Sequence, residues 1–465
     1  MHNGFIVEVK DLKPHINADK LQIATFFGEA VIVGLEVKIG DIGIYFPCDL
    51  QLSEEYCDAN DLCRKRADGS NGNGYLEREK RNIRAIKLRG EKSCGLYAPL
   101  ESLAYTGVDI ATLRIGDTIT VVNGHDICQK YIPKSKNRVH TGGGNKVRKH
   151  KAPIAPLFQE HADTEQLAYN LGAFKPGDEI EITLKMHGTS QRTAHLPAFK
   201  GYKRTIWDKL FRREGTPIYD WGYVSGTRRT VLENFEGGYY GSNEFREAHS
   251  KFFEGKLWKG EEVFYEVVGF THTGTPIMST ADNKKLNDKD FVKQYGKTTT
   301  FSYGCDCAEQ AWKEDRSQDP DKPESDMYIY RMTMTNEDGN VVEYTPDFMR
   351  YRCEQMGVKC VPVMWKGTIP DSWILPGLPY CPTGDEPEFN AGEWIKNVAE
   401  QYYDGPDPVG KTHVREGVVV RILNRPKFAA YKHKNHTFKV LEGIAKDVAD
   451  APDMEEADGL EATNE

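Results

Sequence analysis

Lys185 ends an alternating run, Glu179-Ile180-Glu181-Ile182-Thr183-Leu184-Lys185, and is followed closely by His187 and Gly188. As a strand, this run buries Ile180, Ile182 and Leu184 and turns Lys185 to the opposite face. Gly188 permits a tight turn just beyond. A primary amine at a strand end, beside a glycine-containing loop, could attack a phosphorus atom and form a phosphoramide. Taken alone, an exposed strand-end lysine explains the same residues.

Later segments supply partners for that chemistry. Phe264-Tyr265-Glu266-Val267-Val268-Gly269 is an apolar strand carrying one carboxylate, and Arg415-Glu416-Gly417-Val418-Val419-Val420-Arg421 is another. A carboxylate in a buried strand is costly without a partner; a neighbouring arginine would satisfy either. In Tyr431-Lys432-His433-Lys434, alternation sets both ammonium groups on one face. Such a pair suits a polyanion, or a solvated edge strand.

The elements that must position these residues are legible in outline. At 465 residues, 39% hydrophobic and 28% charged, the chain suits two or three domains of roughly 100–200 residues each. No stretch approaches the ~20 apolar residues of a membrane helix, and the N-terminus lacks the apolar core of a signal peptide, so a cytoplasmic protein with no membrane association is expected. Ten cysteines lie scattered without a CxxC pair; reduced thiols are expected rather than a structural zinc site.

Residues 5–125 carry short strand-like runs broken by turn signals, which suggests a small β-barrel or sandwich, with a long polar loop over 57–81. Charge is segregated behind the net 61 − 70 = −9. Residues 130–151 hold eight basic residues and no acid, around Gly142-Gly143-Gly144; with few apolar residues, 126–151 reads as a linker. From residue 152, strand-like and helical runs mix, which argues for α+β. Residues 305–326 and 366–411 look like surface insertions, 331–411 being the least legible stretch. The acidic end, 446–465, reads as a solvated, disordered tail.

In order, these segments resemble the covalent nucleotidyltransferase superfamily of ATP-dependent ligases and mRNA capping enzymes. Lys185-Met186-His187-Gly188 would be motif I, Phe264–Gly269 motif III, Met327–Met332 (MYIYRM) motif IIIa, Glu416–Arg421 motif IV, and the Lys432/Lys434 pair motif V. His187, where DNA ligases and capping enzymes usually carry Asp, is similar to the K-x-H-G of RNA ligases that seal nicked duplexes. LKPHINADKL followed by EAVIVGLEVKIGDIGIYFP is similar to OB-type domains of tRNA-binding proteins. An OB module ahead of the transferase resembles the Deinococcus-type RNA ligase family. The chain departs from the pattern in its insertions and at Leu184, where many of these ligases have Glu.

The resemblance implies an α+β chain: an N-terminal OB-type β-barrel (1–125), the linker (126–151), an adenylyltransferase domain of mixed, mainly antiparallel sheets with flanking helices (152–445), and the acidic tail. It implies joining of RNA 3′-hydroxyl and 5′-phosphate ends through lysyl-AMP and RNA-adenylate intermediates, in RNA repair at nicks. The substrates would be ATP and duplex or structured RNA, with Mg²⁺ or Mn²⁺ as the metal; no protein partner is expected. Lys185 would be the AMP-accepting nucleophile, with His187 and Gly188 in the nucleotide pocket. Glu416 would hold the metal, Glu266 the ribose, and Lys432 and Lys434 the α-phosphate and departing pyrophosphate. Tyr330 would stack on adenine, with Tyr328 as fallback, and Arg192 and Arg228 would touch phosphate or ribose. Lys87 and Arg89 on the barrel, and Lys146, Arg148 and Lys149 in the linker, would meet RNA. A free lysine titrates near pKa ~10.4, so neighbouring positive charge must favour its neutral form. The alternatives are a capping guanylyltransferase, a DNA ligase, or a non-catalytic RNA-binding protein with a degenerate transferase.

Overall fold

A computed structural model describes residues 3–131, 152–158, 160–162, 164–211, 213–232, 234–235, 240, 243–373 and 388–449. The chain forms two compact units. The N-terminal unit takes in residues up to 131, the later segment Asp282–Lys289, and the helix His436–Ala449. Phe438 and Leu441 of that helix are fully buried, and Lys439 Nζ lies 2.5 Å from Glu29 Oε1.

In this unit an antiparallel sheet runs in the order Thr118–Ile119, Gly4–Glu8, Ile42–Phe46, Leu96–Pro99, and a separate meander joins Leu12–Pro14, Leu21–Phe26 and Glu29–Gly34. Ile6, Ile44, Phe46, Leu50 and Leu52 form the core. Among the described residues the ladders do not join into one closed barrel, which corrects that expectation. Many strands are only two to six residues long, and the helix Glu54–Ala59 and the 3₁₀ turn Leu100–Thr106 interrupt the pairing. The expected loop over 57–81 starts inside that helix, and Arg78 ties it back through Glu54 and Asp58, each at 2.6 Å. Ile127 and Cys128, at the start of the stretch read as a linker, are buried here, and Cys128–Lys130 pairs with Leu50–Leu52. Residues 132–151 lie outside the described residues, as does 450–465 of the acidic tail.

The second unit is built on two large sheets. A five-stranded sheet runs Glu165–Gln166, Ala429–Lys434, Gly417–Ile422, Glu179–Lys185, Val363–Thr368. Ile180 and Ile182, with Val418 and Val420, pack against Trp394, Ile395 and Val398 of the helix Ala391–Glu400. The seven-stranded sheet is built on Thr189–Lys203, Glu261–Gly269 and Ser325–Thr335, with Thr216–Gly226 outside the first. Every residue of Glu261–Gly269 is buried, as befits a central strand covered on both faces. All nine cysteines among the described residues are free thiols. No helix among the described residues is long and apolar enough to cross a membrane.

Candidate active site

Register places the cationic residues together. Lys185 pairs with Gly417, and Gly417 pairs with Lys434, so the two lysines lie on one face across a residue with no side chain. A Cβ on Gly417, whose φ is 150°, would sit 2.1 Å from the His433 carbonyl oxygen, so the strands can close here only around glycine. Lys432, opposite Val419, shares the Lys434 face by alternation.

Glu416, just before this strand, brings the amines to a point. Its Oε1 lies 2.8 Å from Lys185 Nζ and 3.1 Å from Lys434 Nζ. Burial would raise the Glu416 carboxyl, but the charges of Lys185 and Lys434, with His187, outweigh it and hold the group well below the usual carboxylate range. Its other oxygen, Oε2, is buried, accepts no hydrogen bond, and lies 3.6 Å from His187 Nδ1, beyond hydrogen-bond length.

The turn after Lys185 is held from two sides. The His187 backbone N–H donates to the Tyr303 hydroxyl at 2.5 Å, and the His187 ring meets Phe301 edge-on at 4.7 Å. Gly188 is needed for a reason other than the tight turn expected: its φ is not positive, but a Cβ there would lie 2.4 Å from the Val267 carbonyl oxygen. The glycine lets the nucleophile turn press against the Glu266 strand.

Between the two sheets of this unit lies a cleft of about 880 Å³, its solvent-open mouth included. Lys185, Arg228, Glu266 and Tyr330 line it, and Ser190 Oγ lies 3.0 Å from the Tyr330 hydroxyl. Phe264 pairs with Arg331 but Tyr265 with Ile329, so Tyr330 is the extra residue of a β-bulge. Bulges re-aim side chains where regular alternation would not. Tyr328, the fallback, instead donates to Asp326 Oδ2 at 3.1 Å.

Arg192 does not join the cleft. It is buried against the Phe158 ring at 3.8 Å, donates to the Thr227 carbonyl at 2.9 Å, and lies 3.4 Å from Glu262 Oε1. Its strand continues past the cleft, so the side chain two places after Ser190 meets Phe158 and Glu262 instead. In the N-terminal unit, Lys87 lies 3.7 Å from Asp288, and Arg89 takes a left-handed φ of 48° at the tip of the hairpin Ala85–Leu88/Glu91–Cys94. Lys146, Arg148 and Lys149 lie outside the described residues.

Sequence reading did not single out His161, Ser190, Arg421 and Phe428, which also line the cleft, nor Tyr303, which accepts from the His187 N–H. For Arg421 a signal existed: alternation puts it on the face of Val419, the other cleft residue of its strand. The rest arrive from distant segments.

Among the described residues no group of three or more His, Cys, Asp or Glu side chains could hold a metal ion alone. A hydrated Mg²⁺-like cation needs only one or two carboxylates alongside phosphate oxygens. The buried Glu416 Oε2 fits that demand.

No protein-family model and no curated protein matches the chain. Solved structures do. An RNA ligase of Naegleria gruberi with pyrophosphate aligns at 15% identity over 94% of this chain and 98% of that one, with a TM-score of 0.53. Variants of the same ligase align at 14% identity over 94% of this chain: with ATP and Mn over 98% of that chain, and with AMP and Mn over 97%, both at a TM-score of 0.51. What the chain shares with them is the fold, an assembly of mainly antiparallel sheets with helices.

Proposed function

We propose that the chain is an ATP-dependent RNA ligase. The observation that carries this reading is the convergence of Lys185 and Lys434 on one buried oxygen of Glu416, in a unit whose cleft Lys185 also lines. The fold shared with an RNA ligase supports it, as does the order of the motifs along the chain.

In this reading the Lys185 amine attacks the α-phosphate of ATP, a P–N bond forms, and the bond to pyrophosphate breaks. An RNA 5′-phosphate oxygen then takes the adenylyl group from Lys185, and a 3′-hydroxyl displaces AMP to close the strand. Each step is an in-line displacement at phosphorus, so alignment and charge stabilisation are the protein's main tasks. Lys434 and Lys432 stabilise negative charge on the α-phosphate and departing pyrophosphate. Glu266 accepts from the ribose, Tyr330 stacks on adenine, and Arg228 contacts the nucleotide. His187 and Gly188 shape the turn that presents the nucleophile.

Mg²⁺ or Mn²⁺ would be held by Glu416, where it would add positive charge beside the phosphates and draw the carboxylate's charge away from the lysines. Positive charge without that counter-charge favours the neutral, attacking amine. The N-terminal unit would serve as an RNA-binding module, with Lys87, Arg89 and the basic stretch carrying Lys146, Arg148 and Lys149 adding salt-dependent affinity. The substrate would be nicked or structured RNA in cytoplasmic repair.

Incubation with α-labelled ATP and Mg²⁺ should label the protein covalently, and Lys185→Ala should reduce the label to background. Absence of label from all four nucleotides would remove the reading; label from GTP alone would move it to a capping enzyme. Nicks with ribose or deoxyribose on the 3′-hydroxyl side would separate RNA ligase from DNA ligase.

A further inference from the structure

Two long strands of the second unit, Thr189–Lys203 and Thr216–Gly226, outrun their sheet. The first pairs with the Glu266 strand only as far as Ala194, and from there to Lys203 its strand partner is the returning strand. The tip of this hairpin is a short helix, Ile206–Leu210, with a capping box: Thr205 Oγ1 accepts from Asp208 N at 3.2 Å, and Asp208 Oδ2 accepts from Thr205 N at 2.9 Å. A box of this kind fixes the helix start.

The side chains the tip presents are the wrong kind for plain solvent. Ile206 is 83% exposed, Trp207 66%, Leu210 67% and Phe211 59%. Large apolar residues grouped on a surface mark a binding site. The Trp207 and Phe211 rings lie within 14° of parallel, 6.1 Å between centroids, and the Arg213 guanidinium lies 5.6 Å from the Phe211 ring centre. Residues 200–214 hold six basic residues (Lys200, Lys203, Arg204, Lys209, Arg212, Arg213) against Asp208 and Glu214, 6 − 2 = +4, in a chain of net charge −9. Exposed aromatic faces in a segment of net positive charge, on a chain whose net charge is negative, complement a polyanion that also offers flat, stackable surfaces.

We infer that this tip binds unpaired nucleotides of RNA, bases stacking on Trp207 and Phe211 while Lys203, Arg204 and Arg213 meet phosphates. The choice of RNA rests on the ligase reading above. Stacking of this kind is tolerant of sequence but needs free base faces, which a paired A-form helix does not offer. From Ser190 at the cleft to Lys203 is a strand path of up to ~40 Å at ~3.3 Å per residue. The tip therefore meets RNA well away from the reacting ends, as an anchor.

The test compares the full chain with Trp207→Ala/Phe211→Ala, using fluorescence anisotropy on a single-stranded RNA of about 30 nucleotides and a blunt duplex of the same length, long enough to span the ~40 Å strand path. The variant should bind the single strand about tenfold more weakly, in line with the loss of one or two stacked bases, and the duplex within about twofold of the parent. Unchanged binding of the single strand, or equal loss on both RNAs, overturns the inference. So does a dimer, or binding to anionic phospholipid vesicles, that the variant loses while its RNA binding persists. Self-labelling by α-labelled ATP without RNA should be equal in the two proteins, which shows the variant to be folded. If the parent itself takes no label, the ligase reading fails while the anisotropy result still decides the tip's role.

Discussion

Glu261 and Glu416 are both almost wholly buried carboxylates beside cations, and they are arranged in opposite ways. Glu261 is closed on itself: Arg352 donates to both oxygens at 2.7 Å, Tyr344 adds a bond to Oε1 at 3.1 Å, and the Trp258 N–H donates to Oε2 at 2.7 Å. One cation meets one anion. Glu416 has two ammonium groups on a single oxygen and no hydrogen bond on the other. The first arrangement is finished and holds the fold; the second gathers two ammonium groups on one oxygen and leaves the other oxygen unused, which suits an arriving cation.

The sharpest way to break the comparison is to give both positions the same change. Glu416→Gln keeps the shape and removes the charge, and self-labelling should fall ~10²–10³-fold, the scale of losing one preorganised electrostatic partner. Its melting temperature should move less than that of Glu261→Gln, because lysine can shed its proton whereas arginine cannot. Glu261→Gln strands the Arg352 guanidinium and should cost about 3–5 kcal/mol in urea unfolding, with labelling per folded molecule unchanged. Equal labelling loss in both would erase the distinction.

A smaller effect is expected at the turn after Lys185. Tyr303→Phe removes the acceptor of the His187 N–H and should cost about 1–3 kcal/mol of stability, together with slower labelling. Burial also holds the Tyr303 phenol well above its ordinary pKa, so it remains an un-ionised hydroxyl.

A pH slope is expected from Glu262, one residue from Glu261. Burial pushes this carboxyl up to about 8, against the pull of Arg192 and Arg331. Between its unfolded value near 4.5 and about 8 the native state holds a proton that the unfolded state has released, so stability falls as pH rises across that window. Glu262→Gln should therefore gain stability relative to the parent from pH 5 to pH 8 in thermal melts; a parallel pair of curves would show Glu262 ionised in the fold.

Legibility tracked the range of the interactions. Alternation in Ile180–Lys185 identified the buried set, and the structure buries Ile180, Ile182 and Leu184. It could not reveal the bulge at Tyr330, because an extra residue is visible only against the partner strand. Arg192 read as a phosphate contact because its charge is plain in the sequence, while its partner Glu262 lies seventy residues away. The barrel expectation failed similarly: short apolar runs announce strands, but closure depends on which edges meet.

The amino-acid order alone determined the strand character of each motif segment and the face on which Lys185, Lys432 and Lys434 stand, since side-chain direction in a strand follows from local backbone geometry. Tertiary structure alone decided that Gly417 lies between Lys185 and Lys434, that Glu416 receives both amines, that Gly188 presses on the Glu266 strand, and that the last helix joins the first unit. Those are pairings across tens to hundreds of residues. They are set by how buried faces and hydrogen-bonding edges are matched across the whole fold, which no window of sequence contains.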